Sequence, residues 1–404
     1  MVNSCDKTRL VRWLTYCMFM MFAMTTDAVG VIIPKIISEF NLSLTQASAF
    51  HYVSMAAIAI SGIAFGSLAD RIGRKSAIIV GLFIFTIGCF AFSFSEDYGV
   101  FVALLALCGA AIGIFKTAAL ALIGDLTANS HQHSKTMNTV EGFFAVGAII
   151  GPALVAFLLA RDLSWKYLYA IAGIVCFILL LLASRVDYPA RQPSQEAPSN
   201  LAGSIALLKD PYALGFSLAI GLYVAVEVAI YVWMPSFLAQ VATEMPFLVA
   251  YALTIFFILR AAGRFLGAWL LDQFHWAQVL CCLTGAIALC FLASVLGGAK
   301  LGVYLLPLSG LFMSMVYPTL NSKGISCFPK HRHGAIAGVL LFFTALAAAL
   351  GPLAMALMGD YGGDVRFGFY LAAAFALGLF ALMAYNLWAN PTAVRLTAVQ
   401  QGQD

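Results

Sequence analysis

The chain has 404 residues, is 62% hydrophobic and only 10% charged, and has a mean hydropathy of +0.94. A soluble domain is about 45–50% apolar, so this composition excludes an ordinary water-soluble enzyme or nucleic-acid binder. The net charge of +4 says little until the charges are placed.

Apolar runs of about 20 residues, each long enough to cross a bilayer as a helix, recur along the whole chain. Twelve spans are drawn over 13–36, 48–69, 76–96, 99–124, 137–160, 165–184, 213–238, 247–270, 276–297, 301–322, 334–358 and 367–389. Their unbroken length predicts helices, because barrel strands would run to about 10 residues with alternating polarity. The first span follows Lys7, Arg9 and Arg12 as a signal peptide would. It is too long for a signal h-region and lacks a small-residue cleavage site after it, so it is expected to stay as a span. The nine cysteines lie mostly inside apolar runs and read as small fillers.

Ionisable groups inside spans cost about 2.5–3.5 kcal/mol on insertion scales and usually face a cavity or a partner. Asp27 stands near the middle of span one, beside Thr25 and Thr26, and is the first choice for a proton carrier. At the inner end of span two, GSLADRIGRK gathers Asp70, Arg71, Arg74 and Lys75 around Gly66 and Gly73. The glycines predict close packing with a neighbouring span. The charges predict a surface latch, with Asp125 at the end of span four as the partner of Arg71 or Arg74. Lys116 in span four and Glu141 early in span five lie at similar depth on antiparallel helices, about 6–12 Å from the inner surface at a rise of about 1.5 Å per residue. They are placed to pair, with Lys116 offered to an anionic or hydroxyl-rich substrate and Glu141 to proton coupling.

VDYPARQPSQEAPSN, residues 187–200, interrupts the spans six and six. The expected organisation is an N-terminal six-helix bundle over 1–186, a cytoplasmic linker over 187–208 and a second six-helix bundle over 209–404. In span seven, Glu227 is read as a second proton-coupling group, with Tyr223 and Tyr231 one turn to either side. Arg260 in span eight is assigned to substrate or to a gate. Arg264, one turn on, is assigned to the inner gate with Asp272. Tyr317 in span ten completes a set of aromatic hydroxyls suited to stacking on a sugar-like ligand. The HxH pairs at 131/133 and 331/333 read as solvated loop residues.

A repeat appears at an offset of about 200 residues. Gly151-Pro152 recurs as Gly351-Pro352, Pro34 as Pro235, and Gly66 as Gly267. One six-span unit used twice is a transporter plan, with the substrate site expected near the midplane. Lysine and arginine crowd one side of the drawn topology (Lys7, Arg9, Arg12, Arg71, Arg74, Lys75), whereas Lys35, Arg161, Lys166, Lys300 and Arg366 lie on the other. That bias predicts both termini in the cytoplasm.

On these residues the chain resembles the major facilitator superfamily, whose loop 2–3 motif is matched at Gly66, Asp70, Arg71, Gly73, Arg74 and Lys75. GLFMSMVYPTL, LYVAVEVAIYVWMPSFL and KTMNTVEGFFAVGAIIGP are similar to segments of its fucose–galactose–glucose:proton symporter branch. That resemblance implies an all-α fold of twelve transmembrane helices, proton-coupled sugar symport, and acidic residues in spans one and four. Span four here presents Lys116 at the matching position. No Walker A loop, dinucleotide turn, HExxH or GxSxG is present in the sequence, which predicts a gradient-driven carrier rather than an ATP motor or an enzyme. The expected reading is a monomer in the bacterial inner membrane, without metal or cofactor, that acts on a small-molecule substrate. A proton gradient is the expected drive, and sodium is left open. The rival is a drug:proton antiporter, which three intramembrane carboxylates would suit.

Overall fold

The computed structural model describes residues 4–64, 72–126, 130–188, 209–329 and 332–400, and every regular element among them is helical. The first part holds α1 (Ser4–Thr26), α2 (Val29–Phe40), α3 (Leu44–Ala47), α4 (Ala49–Ala64), α5 (Arg74–Phe94), α6 (Tyr98–Asp125), α7 (Ser130–Ala160) and α8 (Tyr167–Arg185). The second holds α9 (Pro211–Leu238), α10 (Pro246–Gln273), α11 (Trp276–Gly297), α12 (Ala299–Met313), α13 (Val316–Ser326), α14 (His333–Gly362), α15 (Val365–Ala389) and α16 (Pro391–Gln400). Among the described residues, 11 helical stretches are long and apolar enough to cross a membrane. The second expected span, 48–69, is described only as the 16-residue α4, and its remainder lies outside the described residues.

Two expected spans are broken rather than continuous. Span one stops at Thr26 and resumes at Val29, so Asp27 sits in the break. Thr25 and Thr26 donate their hydroxyls back to the Phe22 carbonyl at 2.9 and 3.2 Å, a pattern that bends helices, and aspartate competes for backbone groups of its own. Span ten breaks between Met313 and Val316. Pro318 accounts for this break, since its ring clashes with the carbonyl four residues back, at Ser314, and it has no N–H to donate there.

The chain divides into two compact units, Met1–Leu42 with Gln46–Gln195, and Ser43–Thr45 with Glu196–Asp404. Each unit repeats one packing scheme. In the first, α1 packs on α7, α4 on α6, and α5 on both α6 and α8. In the second, α9 packs on α14, α10 on α12, and α11 on both α12 and α15. Span for span, these are the same pairs. Lipid is as apolar as leucine, so such pairs are held by close van der Waals fit. At Gly151 a Cβ would fall 2.1 Å from the Met24 carbonyl oxygen of α1. At the repeat position Gly351 it would fall 3.1 Å from Ala225 Cα of α9. Both glycines therefore mark the contact of the fifth helix of a unit with its first.

The terminal helix α16 is tied to the start of α9. Asp210 caps α9, accepting from the backbone N–H of Tyr212 at 2.8 Å and of Ala213 at 3.3 Å. Arg395 lies 3.7 Å from Asp210 and donates to the Cys327 carbonyl at 3.2 Å. Burial pushes the Cys327 thiol up to about 12, so it stays protonated beside this arginine.

Candidate functional site

In the first unit, the break in span one holds Asp27 almost fully buried, with its backbone N–H donated to the Ala23 carbonyl at 3.1 Å. Lys116 reaches in from α6. Its ammonium does not form the expected contact pair with Glu141. It stands 5.2 Å from the centre of the Phe144 ring on α7, a cation–π placement. Asp27 and Glu141 are the carboxylates whose charge acts on it. Glu141 itself is exposed. The reason is geometric: Phe144 lies one turn beyond Glu141 on α7 and takes the place beside the ammonium.

In the second unit, Glu227 and Arg260 form an ion pair, with the carboxylate side chain only 10% exposed. Tyr223 presents its single hydroxyl proton to Glu227 Oε1 at 3.0 Å and to the Met313 carbonyl at 2.9 Å. Met313 is the last residue of α12, so the helix break frees that carbonyl for a side-chain donor. The Tyr317 ring lies 6.2 Å from Tyr223. Thr344 gives its own proton to the Leu340 carbonyl, so Tyr317 is the donor in its 3.3 Å contact with Thr344. Tyr231 stacks instead on Phe257 of α10 at 6.3 Å, turned to a different neighbour from Tyr223. Arg264 does not pair with Asp272; eight residues along one helix is about 12 Å. Its charge also acts on the Tyr223 hydroxyl, less than that of Arg260.

At the inner end of the first unit, Arg74 Nε lies 3.2 Å from Asp125 Oδ2, both groups largely buried. Gly66, Asp70 and Arg71 lie outside the described residues. Among the described residues nothing lies within 4 Å of where a Gly73 Cβ would be, and its φ of +90° is the backbone setting that favours glycine. It lets the chain turn into α5. Lys75 sits 5.9 Å over the Tyr188 ring, whose phenol burial pushes up to about 12. Among the described residues, no group of three or more His, Cys, Asp or Glu is placed to hold a metal.

The model of the Major Facilitator Superfamily matches residues 15–352. The chain belongs to that superfamily. Its members are transporters, and this chain is accordingly a multi-pass membrane transporter. Among curated relatives it is similar to Protein TsgA of Shigella dysenteriae, 23% identical over 77% of this chain and 79% of that protein, and to Protein TsgA of Escherichia coli O157:H7 at 22% with the same coverage. Three solved transporter structures share its fold. A fucose:proton symporter of E. coli aligns with a TM-score of 0.63 at 20% identity, over 93% of this chain and 98% of that one. A nucleoside transporter aligns with 0.76 at 17%, over 94% and 99%. A bacterial homologue of the human lysosomal transporter Spinster aligns with 0.71 at 17%, over 99% and 98%.

One residue was passed over in the sequence. His51 of α4 is fully buried, and it shares a small cavity with Thr25, Thr26 and Tyr169. Its signal was an ionisable side chain in an apolar run, the same signal that picked out Asp27.

Proposed function

We propose that this chain is a proton-coupled symporter of the bacterial inner membrane. On this reading it moves a small polar solute, a sugar or an anionic sugar derivative, by alternating access, with both termini in the cytoplasm. The observation that carries the reading is the buried Glu227–Arg260 pair with Tyr223 donating to it. A guanidinium close to a carboxylate keeps it ionised. A solute that takes over Arg260 leaves Glu227 without its counter-charge, and the carboxylate then accepts a proton, so solute and proton travel together. Asp27, with Lys116 acting on it, supplies the equivalent device in the first unit. The tyrosine rings at 223 and 317 offer an apolar face and a donor each to a hydroxyl-rich ring. Arginine and lysine beside these carboxylates repel a cationic drug, which weighs against the antiporter reading. Fucose and nucleosides, named for two of the carriers that share the fold, are both rich in hydroxyls.

The test is a thermal-shift screen of the purified full chain against neutral sugars, sugar acids, amino acids and cationic drugs, at two pH values. Sugars or sugar acids are expected to raise the melting midpoint, more so at the lower pH. Stabilisation by cationic drugs alone would replace symport with antiport. In liposomes loaded with the solute so found, Asp27→Asn is expected to lose proton-driven accumulation and to keep exchange. Unchanged accumulation would remove Asp27 as the carrier.

A further inference from the structure

Lys116 is held differently from the cation of the second unit. Arg260 is in contact with a carboxylate, Glu227. Lys116 is only partly buried, and its near neighbour is the Phe144 ring, 5.2 Å from the ammonium. Among the described residues it makes no ion pair and donates no hydrogen bond, so its three N–H donors are uncommitted. A charge inside a span is costly and commonly marks a substrate or ion path. The internal repeat sharpens the contrast. At the offset of about 200 residues that relates Gly151 to Gly351 and Pro34 to Pro235, Lys116 corresponds to Tyr317 and Phe144 to Thr344. The second pair touches as well, through a hydrogen bond of 3.3 Å. Both units thus keep one contact between their fourth and fifth spans, but the first puts a charge on a ring where the second puts hydroxyl on hydroxyl. Packing alone gives no reason for the charge.

We infer that Lys116 and Phe144 together form a subsite for a sugar acid, in which the ammonium takes the carboxylate and the Phe144 ring packs on the C–H face of the sugar that carries it. This rests on the symporter reading above and narrows its substrate to the anionic class. The exchange is favourable. A charge-assisted hydrogen bond from ammonium to carboxylate is stronger than a cation–π contact at a partly exposed site, and drawing the ammonium off the ring bares an apolar face for the sugar. Glu141 and Asp27 already act on Lys116, so a third negative charge enters with a proton, which returns the site to the charge it has when empty. The other helices packed on α6 leave that count unchanged. Arg12 of α1 donates to the Leu126 carbonyl. On α4, His51 lies beside Cys108, eight residues or about 12 Å from Lys116 along α6. On α5, Arg74 is paired with Asp125 and Lys75 sits over Tyr188.

The test compares two ligands that differ at one carbon, D-glucuronate and D-glucose, on the purified full chain. Dissociation constants are read from the ligand dependence of the melting midpoint, at about pH 6 and 8, where the sugar acid stays ionised. Glucuronate is expected to bind about tenfold or more tighter than glucose, and tighter again at the lower pH, because a proton enters with it. Lys116→Met is expected to bring the two ligands level, and Lys116→Arg to keep the preference. Phe144→Leu is expected to weaken glucuronate roughly threefold by removing the stacking face. If Lys116→Met does not fold, the wild-type ratio and Phe144→Leu decide. Glucose binding as tightly as glucuronate overturns the inference and leaves the symporter reading standing. A preference for glucuronate that survives in Lys116→Met overturns it too, because the acid is then read elsewhere. Affinity for glucuronate that does not rise at the lower pH removes the accompanying proton. Binding of neither ligand overturns both the inference and the sugar reading on which it rests.

Discussion

Arg260 makes Glu227 tolerable in the middle of a membrane-spanning helix. Each of the two would be costly alone, and together they hold one geometry through the Tyr223 hydroxyl. Removing one member of a buried pair leaves an uncompensated charge and costs about 3–5 kcal/mol, whereas replacing both with apolar residues of similar volume is often near neutral. Arg260→Ala is therefore expected to lower the thermal unfolding midpoint of the purified protein sharply. The double change Arg260→Met with Glu227→Leu is expected to recover most of that loss while abolishing transport. A double variant as unstable as Arg260→Ala would mean that Arg260 stabilises the bundle by packing rather than by charge. Lys116 illustrates the same economy with a different partner: an aromatic face takes the near position, and two carboxylates act from further away.

Helices in each unit meet where small residues let backbones approach, and the two repeat positions differ in how close they come. At Gly151 an added methyl would meet a carbonyl oxygen of α1 at 2.1 Å, and backbone cannot yield as a side chain does. At Gly351 the nearest atom lies at 3.1 Å, which a shift of a few tenths of an ångström relieves. Gly351→Ala is expected to cost about 1 kcal/mol and Gly151→Ala about 3 kcal/mol or more, read as the difference in melting midpoint between the two variants. Equal losses would show that α1 and α7 have slack that their separation here conceals. The breaks in spans one and ten belong to this scale too. Each places a polar group, Asp27 or the Met313 carbonyl, where an unbroken helix would have left none available.

For the whole molecule, orientation rests on where lysine and arginine fall. A green fluorescent protein fused after Asp404 is expected to fluoresce and an alkaline phosphatase fused there to be inactive. The opposite pair of results would invert the topology and with it the side on which Arg74 and Asp125 meet. The repeated packing scheme, with the same helix pairs in both units, explains why Gly-Pro recurs at an offset of about 200 residues: each copy solves the same contact between its first and fifth helices.

Hydropathy alone marked nearly every membrane helix, because a bilayer admits few structures other than long apolar helices that satisfy their own backbone. The Gly-Pro repeat at an offset of about 200 residues was likewise legible, being a local pattern of residue type. So were the ionisable residues inside the spans, Asp27, Lys116, Glu227 and Arg260, because charge in an apolar run stands out without any structure. Their partners were not legible. Glu227 lies 33 residues from Arg260 along the chain, and Lys116 exchanged its expected carboxylate for Phe144. Side-chain pairing depends on helix rotation and crossing, which an apolar sequence facing lipid on one side and protein on the other does not encode in its periodicity. Only the tertiary packing decided which charge met which, and only it turned the Gly151 and Gly351 positions into points of backbone contact.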